Sequence, residues 1–163
     1  MQEILNLKQQ LLLGNFDSSI DITIELETMA RQDKINALSN CLTSILSRLI
    51  VIQLSDRISA DNIIEIRNSL IQIQQGNRLG DRLYIEKDKE WCSIIERSFA
   101  VALLSATEDL WLQPEMNIDE VQSKLETQLV QTEVLLLIRL TYALNAWEID
   151  RYLRFHWRGL TVA

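Results

Sequence analysis

Aliphatic side chains recur at every third or fourth position along most of the chain, which is the spacing of an amphipathic helix. Residues 2–13 carry such a row, and Gly14 follows it as a residue suited to the left-handed turn that ends a helix. Residues 20–26 alternate as a strand would, but they continue without Gly or Pro into a helical row that reaches Leu49. We therefore predict helix across both stretches, with a candidate break at residues 31–34.

Helix-start signals precede the apolar rows in the middle of the chain. Ser59 opens a row that stops at Gly76, and residues 76–80 then predict a flexible loop. Trp91 begins a regular apolar row that predicts a further helix, and we interpret Trp91 and Trp111 as core or interface anchors.

The C-terminal third predicts one long helix. Asn117 supplies a cap pattern, and no Gly or Pro follows it until Gly159. Residues 134–144 are apolar on almost every side, which is typical of a buried helix. We therefore predict that the last helix is long and is the most buried of the bundle.

The amino-acid composition excludes several other classes of protein. Only 4 glycines and 1 proline occur in 163 residues, too few for the turns of a β-sandwich or for a Gly-rich phosphate loop. The length suits one domain. The prediction is an all-α, single-domain bundle of five to six helices over residues 1–163. Cys41 and Cys92 are isolated within apolar rows, which indicates buried free thiols rather than a disulfide or a metal site.

The charge distribution disfavours nucleic acid as a partner. The net charge is −7, and phosphate neutralisation requires clustered cations. Only residues 134–163 are basic, with four arginines against two acids. The N-terminus lacks the features of a secretory signal, and no apolar run reaches the roughly 20 residues of a membrane span. We therefore expect a cytoplasmic protein without a membrane partner.

Most catalytic chemistries lack their residues in this chain. It contains a single His and no G-x-S-x-G motif, so we predict neither a metal site nor a cofactor. Two carboxylate pairs have helical spacing, Glu86 with Glu90 and Glu115 with Asp119, but they lie in charged or Pro-interrupted stretches. We interpret both pairs as solvated surface.

Arg151 and His156 form the sharpest chemical pattern. Their spacing resembles the R-x4-H signature of helical ribonucleases of the HEPN type, in which His acts as acid or base and Arg stabilises the phosphorane charge. The resemblance implies an RNA-cleaving enzyme with Arg151 and His156 as catalytic residues. Five residues of separation also place the two side chains well apart around one helix, so a second subunit would have to complete the site.

Aromatic and basic residues interleave at the C-terminus, a composition found in protein interfaces and in single-strand nucleic-acid platforms. The same residues also fit a structural role, because cations favour the last turn of a helix and aromatic rings cap a core. We name them as interface candidates: Trp147, Arg151, Tyr152, Arg154, Phe155, Trp157 and Arg158.

Several local motifs resemble domain-of-unknown-function family 29, which is common in cyanobacteria. The most specific are residues 14–16, 25–29, 66–69 and 140–142, within a similarity that covers roughly residues 7–145. The resemblance implies an all-helical, cytoplasmic protein, and it implies no reaction or catalytic residue. The chain departs from the family at Arg48 and just after Tyr142, where many relatives carry a polar or basic group such as His.

These observations favour a non-catalytic protein-protein interaction or scaffold module. We expect it to bind a protein partner and to self-associate, with a homodimer as the simplest form. The expected surface is a partly apolar face that includes the C-terminal aromatic and arginine residues. The alternative is the ribonuclease centred on Arg151 and His156.

Overall fold

The computed structural model describes residues 1–110 and 117–159, apart from the side chain of Leu110, and these residues are almost entirely helical. This confirms the all-α prediction. Seven helices lie in the described residues, so the predicted number of five to six was too low. In chain order they are α1 (Gln2–Leu12), α2 (Phe16–Ser55), α3 (Ala60–Gly76), α4 (Asp88–Leu110), α5 (Ile118–Lys124), α6 (Thr127–Ala143) and α7 (Ala146–Phe155). Trp111 and Glu115, singled out above, lie outside the described residues.

The chain divides into two compact units, Met1–Asn36 and Ala37–Ala163, and α2 contributes to both. In the first unit, α1 ends before Gly14, whose φ of +73° confirms the predicted left-handed turn. Helix α2 then runs through residues 31–34 without the candidate break. These four residues are polar but contain neither Gly nor Pro, and the Gln32 side chain bonds that of Asn36 one turn later.

The core of the second unit is built around the second half of α2. Seven aliphatic residues of this half are buried: Leu38, Leu42, Ile45, Leu46, Leu49, Ile50 and Ile52. Around this core, α3 packs against α6 and α7, and α4 packs against α5 and α6. The prediction that residues 134–144 form the most buried helix is wrong, because Leu136 and Tyr142 of α6 are exposed.

By length and composition alone, α2 could cross a membrane. Slightly less than half of its most apolar stretch is buried inside the protein. The core helix of a globular protein passes the same test, because protein atoms can cover an apolar helix as lipid does.

The long C-terminal helix predicted from Asn117 is interrupted twice, so that prediction is also wrong. Leu125 adopts an extended conformation and separates α5 from α6. Leu144 is likewise extended, and Asn145 starts a new helix with a capping box in which its side chain and that of Glu148 bond each other's backbone N–H. The last helix, α7, has only 10 residues. An Asn followed three residues later by Glu is a helix-start signal, and here it lies inside an apolar row that concealed it.

Two other predicted caps are confirmed, and the predicted flexible loop has a defined structure. The side chains of Ser59 and Asn117 accept hydrogen bonds from the first turns of α3 and α5. After α3, the chain forms an antiparallel hairpin of β1 (Arg78–Leu79) and β2 (Arg82–Leu83). The Asn77 side chain is buried and bonds both the N–H and the C=O of Ile85, which fixes the chain where it leaves the hairpin.

Both cysteines are free, as predicted, but their burial differs from the prediction. Cys41 is half-buried, and this burial raises the pKa of its thiol. Cys92 is exposed on α4, so the prediction of a buried thiol is wrong there. An amphipathic helix has a polar side, and Cys92 falls on it although its neighbour Trp91 is buried.

Candidate protein-interaction site

A short apolar face and an ion pair hold helix α7 against the rest of the second unit. Ile149 and Leu153 are its buried residues, one helical turn apart. The Asp150 carboxylate accepts a hydrogen bond from Arg67 of α3 at 2.8 Å and another from Arg154 at 2.9 Å. These two guanidiniums hold the pKa of Asp150 below its ordinary value, because they stabilise the charged carboxylate. The opposite side of α7 is thereby fixed toward solvent.

That outer side carries two large aromatic rings with an arginine between them. Trp147 is 80% exposed and Phe155 is 75% exposed. Arg151 lies midway at the same four-residue spacing, so the three side chains share one side of the helix. We call these three residues the α7 stripe. Trp and Arg are among the residue types enriched at binding hot spots. Burial of an exposed Trp ring in an interface contributes a large favourable free energy of binding.

The structure divides the seven predicted interface residues. Arg154 is exposed beside the α7 stripe and is paired with Asp150. Tyr152 is half-buried, and Arg158 is exposed. Trp157 is only 8% exposed, and its indole N–H donates a hydrogen bond of 2.6 Å to Glu133 of α6. Trp157 is therefore a structural residue.

The periodicity of the sequence contained the signal for this division. Trp147, Arg151 and Phe155 recur every four residues on the outer side of the segment. Ile149, Leu153 and Trp157 recur with the same spacing on the inner side. Two interleaved rows of period four are typical of a helix that is apolar on two sides, and only one of them can face the core.

Arg151 and His156 are not brought together. Five residues of helix correspond to a rotation of about 140°, so the two side chains leave α7 on different sides. His156 caps the C-terminus of α7 through its backbone N–H, and its ring lies 6.2 Å from that of Tyr152. Both Arg151 and His156 are exposed. The positions of Arg151 and His156 therefore do not favour a ribonuclease site.

A second exposed apolar surface lies in the first unit, and the sequence interpretation did not identify it. Within residues 1–36, all of which the structure describes, Ser19 is the one buried residue. Eight large apolar side chains there are between 52% and 80% exposed. We call them the N-terminal apolar surface: Ile4, Leu5, Leu11, Leu12, Leu13, Phe16, Ile20 and Ile24. The alternation of Ile20, Ile22, Ile24 and Leu26 was the available signal, because on a helix it places aliphatic groups on two sides.

Metal ligands do not converge in the described residues. No group of three or more His, Cys, Asp or Glu side chains in residues 1–110 and 117–159 is placed to hold a metal ion. Of the carboxylate pairs noted in the sequence, Glu86, Glu90 and Asp119 are exposed. Glu86 precedes α4, so the structure does not place it on one helix with Glu90, and Glu115 lies outside the described residues.

Comparison with known proteins provides no relative from which a function can be transferred. The chain matches no family model, no curated protein and no solved structure. Its resemblance to domain-of-unknown-function family 29 therefore stays a prediction that rests on the motifs quoted above.

Proposed function

We propose that this protein is a non-catalytic interaction module that binds a partner protein through the α7 stripe. The observation that carries the proposal is the exposure of Trp147 and Phe155 on one side of a helix whose other side is anchored in the core. Truncating a buried Trp at an interface typically costs about 2 kcal/mol or more of binding free energy. A pair of such rings with an arginine between them is a compact binding determinant.

The rigidity of α7 supports this role. The capping box at Asn145 and Glu148 stabilises the start of the helix, and the Arg67–Asp150 ion pair fixes its position on α3. A surface that is already ordered loses little conformational entropy when it binds. The entropic cost of ordering α7 therefore subtracts little from the binding free energy of the α7 stripe.

The chemistry of the stripe indicates what its partner presents. Two aromatic rings require apolar pockets about two helical turns apart, and Arg151 between them requires a carboxylate or a carbonyl oxygen. We expect a folded protein surface with this pattern. The proposed location is the cytoplasm, which is compatible with the burial of the second half of α2 by protein.

The experiment compares two pairs of exposed apolar residues in one binding assay. Partners are captured from a lysate of the source cells on immobilised wild-type chain, on Trp147→Ala/Phe155→Ala and on Val101→Ala/Leu104→Ala. The last variant is a matched control, because Val101 and Leu104 are also exposed, on α4. Each captured protein is then titrated against all three chains.

The proposal expects a saturable partner whose affinity falls at least tenfold in the α7 variant and is unchanged in the control. Circular dichroism and a melting curve confirm that both variants are folded. Equal binding by all three chains would place the interface elsewhere. A wild-type chain that retains no partner would leave the α7 stripe without a role.

A further inference from the structure

The N-terminal apolar surface includes one row of side chains on α1 and one on α2. On α2, Phe16, Ile20 and Ile24 follow one another at four-residue spacing and form a single row. On α1, Ile4 and Leu12 lie two turns apart on one side of the helix. All of these side chains are more than half exposed. Four large apolar side chains lie at residues 11–16, where the α1 row ends and the α2 row begins in the sequence.

The first unit contains little that could cover these rows from within. Its half-buried aliphatic residues, Leu7, Ile22, Leu26 and Ile35, lie at other positions of the two helices. Helix α1 itself has no buried residue. A short helix in water gains most of its stability from packing of its apolar side, so α1 requires a partner surface.

The apolar area matches the size of a stable symmetric interface. With about 100 Å² for a fully exposed Leu, Ile or Phe side chain, the eight residues present about 500 Å² in each copy. Complete burial of all eight side chains in two copies would remove about 1,000 Å² of apolar area, which at roughly 60% apolar content sets an upper bound of about 1,600 Å² on the total interface. Stable protein complexes bury about 1,200–2,000 Å².

The charges beside the rows favour a second copy over a lipid surface. Asp17, Asp21 and Glu25 form an acidic row immediately next to the apolar row of α2. Helices that lie on membranes carry Lys and Arg in these positions, because the headgroups are anionic. On α1, by contrast, Lys8 lies between Ile4 and Leu12 within the apolar row. Packing α1 of one copy against α2 of the other brings Lys8 toward the acidic row.

We propose that the N-terminal apolar surface is a homodimer interface, occupied by the same surface of a second copy of this chain. The two copies pack their rows around a two-fold axis, with α1 of each against α2 of the other, so that every contact occurs twice. This interface is distinct from the α7 stripe and does not depend on it.

Mass in solution tests the proposal directly. Light scattering after size-exclusion chromatography, over a concentration series up to about 100 µM, should show twice the chain mass of 18.9 kDa. The variant Phe16→Gln/Ile20→Gln/Ile24→Gln loses three apolar contacts per copy, so the dissociation constant of the dimer should rise at least a hundredfold. The control Val101→Gln/Leu104→Gln replaces exposed apolar residues of α4 and should remain dimeric. Circular dichroism verifies helical content.

A second set of measurements identifies the covered surface. Ile4→Gln/Leu12→Gln on α1 should weaken the dimer as the α2 variant does, and Lys8→Glu should weaken it about tenfold because it places like charges together. Amide hydrogen exchange of residues 2–30 should slow as concentration rises, whereas that of residues 88–110 should not change.

Three results would overturn the proposal. One is a wild-type chain that remains monomeric at the highest concentration. Another is a dimer that the α1 and α2 variants leave intact, which would place the contact elsewhere. The third is hydrogen exchange in residues 2–30 that is slow at every concentration, which would mean that the same chain covers the surface. None of these results affects the test of the α7 stripe.

Discussion

Asn77 is expected to be one of the most sensitive polar residues of the second unit. Its side chain donates a hydrogen bond of 2.9 Å to the Ile85 carbonyl and accepts one of 2.9 Å from the Ile85 N–H, and Asn77 is 2% exposed. The two bonds tie the end of α3 to the segment that enters α4. The substitution Asn77→Ala removes both bonds and leaves the backbone bonds of Asn77 in place.

The size of the effect follows from what remains at Ile85. Its carbonyl keeps a hydrogen bond of 3.3 Å from the Tyr142 hydroxyl, whereas its N–H loses the partner that the structure gives it. A buried donor without a partner costs about 1–3 kcal/mol, and the second lost bond adds about 1 kcal/mol. We therefore expect Asn77→Ala to lower the free energy of unfolding by about 3 kcal/mol. For a domain of this size the melting temperature falls by about 6–12 °C.

Urea unfolding followed by circular dichroism measures this loss, with Asn40→Ala as the matched control. Asn40 is exposed on α2, so its substitution should change the unfolding free energy by less than about 0.5 kcal/mol. Hydrogen exchange at the Ile85 amide should accelerate in the Asn77 variant. A loss below about 1 kcal/mol, or unchanged exchange at Ile85, would show that the side chain of Asn77 does not stabilise this junction.

Two further predictions concern the C-terminal region. Gly159 has a φ of +63°, and an added Cβ would lie 2.8 Å from Cδ1 of Ile58, so Gly159→Ala should destabilise the protein by about 2 kcal/mol. Gly80→Ala, with a φ of +60° but open space around it, should cost about half as much, and equal losses would mean that Ile58 simply moves aside. Ion pairing with Arg67 lowers the pKa of Asp150, so this contribution to stability is present above pH 4 or so and is lost as pH falls further. Asp150→Asn should flatten the dependence of the unfolding free energy on pH below about pH 4, and a pH dependence equal to that of the wild-type chain in urea unfolding would contradict this.

The parts of the fold that were predicted correctly depend on neighbours in the sequence. The turn at Gly14 and the caps at Ser59 and Asn117 each involve residues within one helical turn, so their signals are complete in the local sequence. The cap at Asn145 has the same form and was missed because an apolar row runs across it. The hairpin after α3 was missed for a different reason, since residues 76–80 carry only turn signals, and the bonds between Asn77 and Ile85 join residues eight positions apart.

The candidate site was predicted as a segment, and the structure resolved it into residues. Trp147 and Trp157 both belong to the C-terminal segment in which aromatic residues and arginines interleave. Trp157 is 8% exposed and its indole N–H donates a hydrogen bond to Glu133 of α6, whereas Trp147 on the outer side of α7 is 80% exposed. No local pattern contains the position of Glu133 relative to Trp157, so composition alone could not separate the two rings.

By itself, the order of amino acids determined that this protein is helical, where several helices begin, and that few reactive side chains are available. Helical spacing and capping act over three or four residues, and their energies are encoded wherever those residues occur. Only the tertiary structure decided which of two apolar sides of a helix enters the core. The hydrophobic effect has no direction along the chain, so α7 and the first half of α2 present aliphatic or aromatic rows whose burial depends on the elements that pack nearby.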